Sequence, residues 1–239
     1  MESIRTARGN LLAYSLHRNN PSSQDLVILI HGTCGHRRNL FFPALSGITK
    51  VNILSFDFEG NGDSQGEFKI GGLQLEVEAI HDVVLWAQSI GFNIKALIGH
   101  SKGGNEVLMY AGTYNDVPLV IAIAARYDMT IIPSFLNPLL PEIEEKGKAI
   151  YTFRGKDYVI DKEGIDERRN LCMDKYLENV RTNVVLIAGD NDNLTNISDC
   201  HNIESRLGNY CVRKIVVEGA DHMFTKHHDV LSSIISSIL

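Results

Sequence analysis

A serine between glycines, a late histidine and two late aspartates are the residues of this chain whose types and spacing could do chemistry. Ser101 is the middle residue of Gly-His-Ser-Lys-Gly, and it follows the apolar run 94–98. A serine hydroxyl becomes a strong nucleophile when a histidine takes its proton, and a carboxylate must then orient that histidine. His222 supplies the base, and either Asp190 or Asp192 supplies the carboxylate. The chain order of serine, acid and histidine indicates a serine hydrolase.

Each of these residues follows an apolar segment typical of a strand. Residues 183–188 precede both aspartates, and residues 214–217 precede His222. Ligands of open α/β sheets bind at the carboxyl ends of the strands, so the three kinds of side chain are predicted to meet at one sheet edge. Gly99 and Gly103 leave room for a sharp turn from strand to helix, which would project the Ser101 hydroxyl from the sheet.

Apolar runs alternate with helical stripes along most of the chain. This alternation predicts an α/β fold, a mostly parallel central sheet with helices on both faces, built as a single domain over residues 1–239. Besides the strands above, the pattern predicts an edge strand at 10–17, strands at 26–30, 51–56 and 119–124, and helices at 73–89, 197–207 and about 226–239.

The alternation stops at about residues 128–169, which we call the cap segment. Three prolines are expected to disrupt helix there, and residues 149–153 and 158–160 predict a hairpin. A long irregular stretch inside a compact domain is usually functional, so we expect the segment to cover the carboxyl edge of the sheet.

Four aromatic residues of the cap segment are candidates for substrate contact. They are Phe135, Tyr151, Phe153 and Tyr158. They would bind an acyl or aromatic group, or they would only pack the cap segment onto the sheet.

Composition narrows the classes of partner. The 239 residues carry a net charge of −6, which argues against nucleic acid as a partner. The chain shows no apolar leader and no apolar run of about 18 residues, so we expect a cytoplasmic protein without integral membrane association. The four cysteines are expected to be free thiols. Neither zinc-like spacing nor a dinucleotide-binding glycine pattern is found, so we predict no metal and no cofactor.

Five motifs make the chain resemble the α/β-hydrolase superfamily over nearly its whole length. Within it, the chain looks closest to small serine esterases grouped with feruloyl or cinnamoyl esterases, acylglycerol lipases and serine aminopeptidase-like hydrolases. The motifs are His31-Gly32-x-x-Gly35, Asp57-x-x-Gly60-x-Gly62-x-Ser64, Gly99-His100-Ser101-Lys102-Gly103-Gly104, Gly189-x-x-Asp192 and Gly219-Ala220-Asp221-His222-x-Phe224. The resemblance implies Ser101 as nucleophile, Asp192 as acid and His222 as base, and it leaves Asp190 to brace its loop.

The resemblance also implies an oxyanion hole made by the backbone N–H groups of Thr33 and Lys102. Lys102 departs from the methionine, glutamine or leucine that is common after the nucleophile. A cation at a helix N-terminus is disfavoured by the helix dipole, so its ammonium is expected to find a partner. The candidates are a cap carboxylate (Glu142, Glu144 or Glu145) or an acidic substrate group, and the alternative is a solvated lysine.

Several other polar residues near these motifs are expected to be structural. His31 and His100 would brace the oxyanion loop and the serine turn by hydrogen bonds. Cys34 would be a small buried residue rather than a reactive thiol. Asp57, with the glycines and Ser64 of its motif, would fold a loop beside the acid and base.

The sequence therefore predicts a serine hydrolase that acts through an acyl-enzyme, most simply on small soluble or aryl and acyl carboxylic esters. Two enzymatic alternatives remain open, an aminopeptidase-like amidase and a thioesterase. A non-catalytic ligand-binding protein on the same fold is the third alternative. The oligomeric state is not predicted by any of these motifs.

Overall fold

A computed structural model describes residues 2–239 and contains ten strands. They are β1 (Ser3–Arg5), β2 (Leu11–His17), β3 (Asp25–Ile30), β4 (Asn52–Phe56), β5 (Asn93–His100), β6 (Leu119–Ile123), β7 (Lys148–Phe153), β8 (Lys156–Asp161), β9 (Asn183–Gly189) and β10 (Cys211–Val217). Eight of them form one sheet in the order β1-β2-β4-β3-β5-β6-β9-β10, and β7 pairs with β8 in a separate hairpin.

The central sheet is mostly parallel, as the sequence predicts. The pairings from β4 through β10 are all parallel, and only the β1–β2 and β2–β4 pairings are antiparallel. The carboxyl ends of β3, β5, β6, β9 and β10 therefore lie at one edge. The loops that carry the predicted site residues leave the sheet there.

Eight α-helices accompany the strands within the described residues. They are α1 (Phe42–Leu45), α2 (Leu73–Ser89), α3 (Lys102–Thr113), α4 (Leu140–Lys146), α5 (Lys162–Arg169), α6 (Asp174–Leu177), α7 (Ile197–Leu207) and α8 (His228–Ile238), with 3-10 turns at Ser134–Leu139 and Gly208–Tyr210. The bounds of α2 and α7 are those predicted from the sequence. No helix in residues 2–239 is long and apolar enough to cross a lipid bilayer.

Both faces of the five inner strands are mostly buried, which explains the continuous apolar runs of these strands. In β3, Leu26 and Ile28 belong to the apolar cluster on the face covered by α2 and α3. Val27 and Leu29 alternate with them and belong to the cluster on the face covered by α1 and α8. Successive side chains of a strand point to opposite faces, so a strand covered on both sides needs apolar residues throughout.

Two predictions about the fold are wrong. The strand near residues 10–17 is not an edge strand, because the three-residue β1 pairs with its outer side. The cap segment also contains helix despite its prolines. Pro133 precedes the first helical turn and Pro141 stands in the first turn of α4. Proline is tolerated at these positions because the first N–H groups of a helix have no intrahelical acceptor.

The predicted hairpin of the cap segment is present as β7 and β8. Its inner residues, with Leu136, Ile143 and Ile165, form a third apolar cluster. That cluster also includes Cys34 and Ile70, which come from loops of the main sheet. The cap segment therefore packs on the carboxyl edge through an apolar contact of its own.

Candidate active site

The turn at Ser101 has the strained backbone that its sequence predicts. Ser101 has φ 58° and ψ −120°, between the end of β5 and the start of α3. A non-glycine residue with positive φ costs about 1–3 kcal/mol and persists only where the surroundings hold it. Close packing around the turn keeps Ser101 in this conformation. A β-carbon on Gly99 would overlap the carbonyl oxygen of Gly103, and a β-carbon on Gly103 would overlap the carbonyl oxygen of Ile30. The glycines thus let the turn form and expose the hydroxyl.

Ser101, His222 and Asp192 form a hydrogen-bonded chain at the carboxyl ends of β5, β10 and β9. Nε2 of His222 lies 2.9 Å from Oγ of Ser101, and Nδ1 lies 2.7 Å from Oδ2 of Asp192. The side chains of His222 and Asp192 are 7% and 1% exposed. Because the carboxylate only accepts, Nδ1 carries the proton and Nε2 is left to accept the serine hydroxyl proton. This is the arrangement that nucleophilic acyl transfer requires.

Asp192 is kept ionised by four hydrogen bonds. Burial alone would raise the pKa of Asp192, but the bonds from His222 and Thr195 outweigh it and hold that pKa below its usual value. Thr195 donates its hydroxyl to Oδ2 at 2.6 Å, and the N–H groups of Leu194 and Thr195 donate to Oδ1. Thr195 was not predicted from the sequence. Its signal was its place three residues after the acid, where a hydroxyl can turn back to the carboxylate.

Asp190 occupies a different place from Asp192. Its Oδ1 accepts a hydrogen bond from the N–H of Gly219 at 2.6 Å, so it ties the loop after β9 to the loop after β10. It makes no contact with His222 within the described residues. This geometry favours Asp192 as the partner of the histidine and leaves Asp190 the bracing role.

His31 and His100 hold the loops around Ser101. Nδ1–H of His31 donates to the carbonyl of Gly32, and Nε2 accepts from the N–H of Phe58. Nε2–H of His100 donates to the carbonyl of His222 at 2.8 Å. Burial lowers the pKa of His31 and lowers that of His100 to about 3. Both rings are therefore neutral and act as fixed hydrogen-bonding braces at physiological pH.

Thr33 and Lys102 each present a free backbone N–H beside Ser101. Neither N–H donates a hydrogen bond to another of the residues 2–239. The N–H of Lys102 lacks an intrahelical acceptor because it lies in the first turn of α3. Gly32, immediately before Thr33, packs so closely that a β-carbon on it would lie 3.1 Å from Cβ of Ser101. Both residues line the cavity that contains Ser101, and their N–H groups have no other acceptor among the described residues.

The side chain of Lys102 has partners that were not predicted from the sequence. Its ammonium forms an ion pair with Glu76 of α2 and lies 3.7 Å from Oε1 of Glu106, one turn along α3. It is 8% exposed, so it is neither solvated nor paired with Glu142, Glu144 or Glu145 of the cap segment. Burial would lower the pKa of Lys102, but the two carboxyl groups raise it overall. The cation at the helix N-terminus is therefore offset from within the domain.

The loop after β4 braces the loop after β3. The fully buried Asp57 accepts from both the backbone and the guanidinium of Arg37, which is itself buried. Ser64 donates its hydroxyl to the carbonyl of Asp57 at 2.6 Å. Asp57 is thus committed to this ion pair beside the loop after β3, and it contacts neither Asp192 nor His222 among the described residues.

The four cysteines are free thiols, as predicted from the sequence. Cys34, next to Thr33, is buried, and burial raises its pKa to about 12. A thiol with such a pKa stays protonated and is a weak nucleophile.

A cavity of about 320 Å³ opens over Ser101 and His222. The cap segment forms part of its wall, and Phe135, Tyr151 and Phe153 lie there with ring centroids 5.0 and 5.9 Å apart in succession. Tyr158, the fourth aromatic candidate, lies outside the wall. It is buried against Phe68 and donates its hydroxyl to the carbonyl of Cys34 at 3.3 Å. Three of the four candidates thus face the cavity, and Tyr158 anchors the hairpin.

Comparison with known proteins connects this geometry with a fold family. No protein-family model matches the sequence. The uncharacterized protein YfhR of Salmonella typhi is 28% identical over 125 residues, which cover 48% of this chain and 42% of that protein. An uncharacterized 31.7 kDa protein of Escherichia coli is 29% identical over 136 residues, 51% of this chain and 48% of that protein. The matches thus span about half the length of these curated relatives.

Solved structures match over the whole chain. Est1E from Butyrivibrio proteoclasticus with bound ferulic acid has a TM-score of 0.79 at 20% identity, covering 100% of this chain and 97% of that one. The Pyrococcus furiosus esterase Pf2001 gives 0.73 at 18% identity, covering 100% and 90%. Mouse alpha/beta hydrolase domain-containing protein 10 gives 0.71 at 21% identity, covering 99% and 97%. The chain therefore has the α/β-hydrolase fold.

Proposed function

We propose that this chain is a serine hydrolase that cleaves carboxylic esters through an acyl-enzyme. The hydrogen-bonded chain from Ser101 Oγ through His222 to Asp192 carries the proposal, with distances of 2.9 and 2.7 Å. A fold supports many functions, so the site rather than the fold is the basis. The esterases among the structural neighbours support the same class of reaction.

The geometry supports a two-step mechanism. Oγ of Ser101 attacks the ester carbonyl carbon while Nε2 of His222 takes the hydroxyl proton, and the negative charge of the tetrahedral intermediate falls on the former carbonyl oxygen. The N–H groups of Thr33 and Lys102 stabilise that oxyanion. Collapse of the intermediate breaks the bond to the leaving alcohol, which takes the proton from Nε2. Asp192 stabilises the imidazolium while it exists.

Water then hydrolyses the acyl-enzyme. Nε2 of His222 takes a proton from a water molecule, the resulting hydroxide attacks the acyl carbon, and the second intermediate collapses to release the carboxylic acid. Oγ of Ser101 leaves with the proton from Nε2, which restores the starting state. Each step uses groups of this chain and water only, and therefore requires no cofactor.

The size of the cavity favours small substrates. At about 320 Å³ it lies at the lower end of small-molecule sites. The rings of Phe135, Tyr151 and Phe153 offer an apolar surface for an acyl or aryl group. We therefore assign aryl or acyl esters of small size as the substrate class. The cap segment serves in this proposal as the substrate-binding part of a single catalytic domain.

Hydrolysis of p-nitrophenyl butyrate tests the proposal. We expect wild-type protein to release p-nitrophenol with an initial burst and Ser101→Ala to be inactive. Ser22→Ala removes an exposed serine and serves as the matched control, with full activity expected. An active Ser101→Ala variant would refute the nucleophile.

A second panel separates the enzymatic alternatives. Aminoacyl p-nitroanilides and acyl thioesters are offered beside the esters at equal concentration. A higher kcat/KM on the anilides would favour an amidase, and one on the thioesters a thioesterase. Tight ligand binding with turnover of none of them would favour a non-catalytic binding protein.

A further inference from the structure

The cavity over Ser101 is lined by basic side chains without an acidic one among the described residues. Lys102, Arg126, Arg154 and Arg168 all contribute to its wall, and no aspartate or glutamate does. The chain as a whole is acidic, with 29 acidic and 23 basic residues. The local charge is thus opposite in sign to that of the whole protein.

Two of these four cations have partners that account for them. The ammonium of Lys102 is paired with Glu76. Arg154 is exposed, donates to Oδ1 of Asn39 at 3.2 Å and lies over the ring of Phe153. Their presence is explained by these contacts and by solvent.

Arg126 and Arg168 are different, because both are buried and neither has a carboxylate partner. They are 6% and 8% exposed. No acidic oxygen of residues 2–239 lies within 4.0 Å of either guanidinium. Burying a charge without a counter-ion costs several kcal/mol, so paired or ligand-bound arginines are the rule in such places.

Hydrogen bonds to backbone carbonyls use only part of each guanidinium. Arg126 donates from Nη2 to the carbonyl of Leu194, and Arg168 donates from Nη1 to the carbonyls of Met129 and Ile131. An arginine has five N–H donors. Nε and Nη1 of Arg126, and Nε and Nη2 of Arg168, have no acceptor among the described residues. Hydrogen bonds to loop carbonyls therefore account for only one nitrogen of each guanidinium.

The two cations also lie close enough to oppose each other. Burial, and after it the positive charge of Arg126, lower the pKa of Arg168 to about 10. Asp128 acts in the opposite direction, but its carboxylate accepts from the N–H and hydroxyl of Thr130 and forms no ion pair. Two like charges placed side by side in a cavity form a site that an anion would stabilise.

Arg126 is held next to the proposed catalytic groups. Its backbone N–H donates to Oδ1 of Asn105, which is four residues after Ser101 in α3. Its side chain binds the carbonyl of Leu194, whose own N–H donates to Asp192. Arg168 comes from α5 in the cap segment. The two arginines thus join the sheet edge and the cap segment at the same cavity.

We propose that Arg126 and Arg168 form a carboxylate-binding subsite, and that the substrate is a small ester that carries a free carboxylate elsewhere on its acyl part. The proposal rests on the esterase function proposed above and names its substrate class. A carboxylate can accept two N–H bonds from each free guanidinium face, which gives both affinity and orientation. The neutral ester group would then lie at Ser101 while the charged end is held by the arginines.

A matched pair of substrates tests this subsite in the wild-type protein. Mono-p-nitrophenyl adipate carries a free carboxylate, and its methyl ester is the neutral counterpart, with the enzyme-free rate subtracted from each. We expect kcat/KM for the acid to exceed that for the methyl ester by about tenfold or more, since a buried charge contact is worth at least ~1.4 kcal/mol. The preference should shrink as the salt concentration rises.

Variants then assign the preference to the two arginines. In Arg126→Gln and Arg168→Gln the ratio of the two kcat/KM values should fall to about one, while Arg168→Lys, which keeps the charge, should retain part of it. Arg213→Gln removes an exposed arginine of β10 and should keep the wild-type ratio. Thermal unfolding of each variant reports whether it folds, and the wild-type ratio decides the question where a variant does not.

Binding without turnover separates failure of the subsite from failure of the esterase proposal. Calorimetric titration of free adipate into Ser101→Ala should show binding that Ser101→Ala with Arg168→Gln loses. Turnover of both esters without preference for the acid, and without adipate binding, would overturn the subsite and leave the esterase. Adipate binding with turnover of neither ester would keep the subsite and overturn the esterase.

Discussion

The ammonium of Lys102, the residue that follows the proposed nucleophile, forms an ion pair with Glu76 of α2. The pair ties the first turn of α3 to a neighbouring helix beneath the turn at Ser101. Glu106 lies 3.7 Å from the same ammonium and is fully buried. Its two oxygens accept no hydrogen bond from the described residues. One cation thus faces two carboxyl groups in a buried place.

The two carboxyl groups of this cluster are predicted to differ in their effect on stability. Glu76→Gln should destabilise the protein by about 3 kcal/mol, because it leaves the buried ammonium of Lys102 without its ion-pair partner. Glu106→Gln should be neutral or stabilising, because burial and the nearby Glu76 raise the pKa of Glu106 well above its usual value and favour its neutral form. Urea unfolding at pH 7 measures both, and equal losses would contradict the assignment.

Glu106 also predicts a pH dependence of stability. A carboxyl whose pKa is raised by folding stabilises the native state fully below its unfolded pKa of about 4.3, and that contribution is lost as pH rises towards the folded pKa. The free energy of unfolding of wild type should therefore fall between pH 5 and pH 8. In Glu106→Gln this slope should be smaller, and an unchanged slope would show that another group is responsible.

Substitution of each of the two aspartates after β9 distinguishes the catalytic acid from the residue that holds the loop. Asp192→Asn should lower kcat by about 10³–10⁴-fold, because an amide favours the wrong tautomer of His222. Asp190→Asn is the matched control. Its oxygen can still accept from Gly219, so the free energy of unfolding should change by no more than about 0.5 kcal/mol and kcat should be maintained. Comparable losses of kcat in both variants would contradict the role of Asp192.

Thr195 is predicted to support Asp192. Thr195→Val removes the hydroxyl bond to Oδ2 and keeps the backbone N–H bonds, so the pKa of Asp192 should rise. A carboxyl whose pKa is lowered by folding stabilises the folded state at pH values above its unfolded pKa. That stabilisation is lost as pH falls through the folded pKa. The variant should therefore lose about 1.5–3 kcal/mol at pH 7 and less near pH 3. Thr113→Val removes a hydroxyl within α3 and is the control, with no such pH dependence expected.

The aromatic residues of the cap segment are predicted to act in two ways. Phe135→Ala should raise the ratio of kcat/KM for long acyl chains to kcat/KM for short ones about tenfold, because loss of the ring from the wall enlarges the cavity. Tyr158→Phe should cost about 1 kcal/mol of stability through the lost bond to Cys34 and keep the wild-type chain-length preference. A series of p-nitrophenyl esters from acetate to octanoate measures the preference. A shift in Tyr158→Phe alone would contradict the placement.

Much of the fold follows from patterns that act locally in the chain. The bounds of α2 and α7 were predictable because an apolar stripe of helical period and end signals coincide, with Gly91 after α2 and a capping box of Asn196 and Asp199 at the start of α7. The strands of the parallel sheet were predictable because burial on both faces leaves continuous apolar runs. The three-residue β1 gives no such signal, since only Ile4 of it is buried.

The parts that were not predicted depend on contacts between distant residues. Glu76 is far from Lys102 in sequence, and only the packing of α2 against α3 brings the two charges together. Arg126 and Arg168 belong to β6 and α5 regions whose meeting at one cavity has no sequence pattern. Ser101, Asp192 and His222 were predictable because each follows a strand that ends at the same edge, so topology alone brings them together.

Covalent labelling of Ser101 is the measurement that tests the central claim most directly. A fluorophosphonate reacts with a serine only when a neighbouring base removes its proton and an oxyanion site holds the phosphonyl oxygen. Incubation of wild type, Ser101→Ala and Ser22→Ala with the probe is followed by peptide mass spectrometry. We predict one adduct on Ser101 in wild type and Ser22→Ala and none in Ser101→Ala. An unlabelled wild type, or a label that persists in Ser101→Ala, would contradict the account.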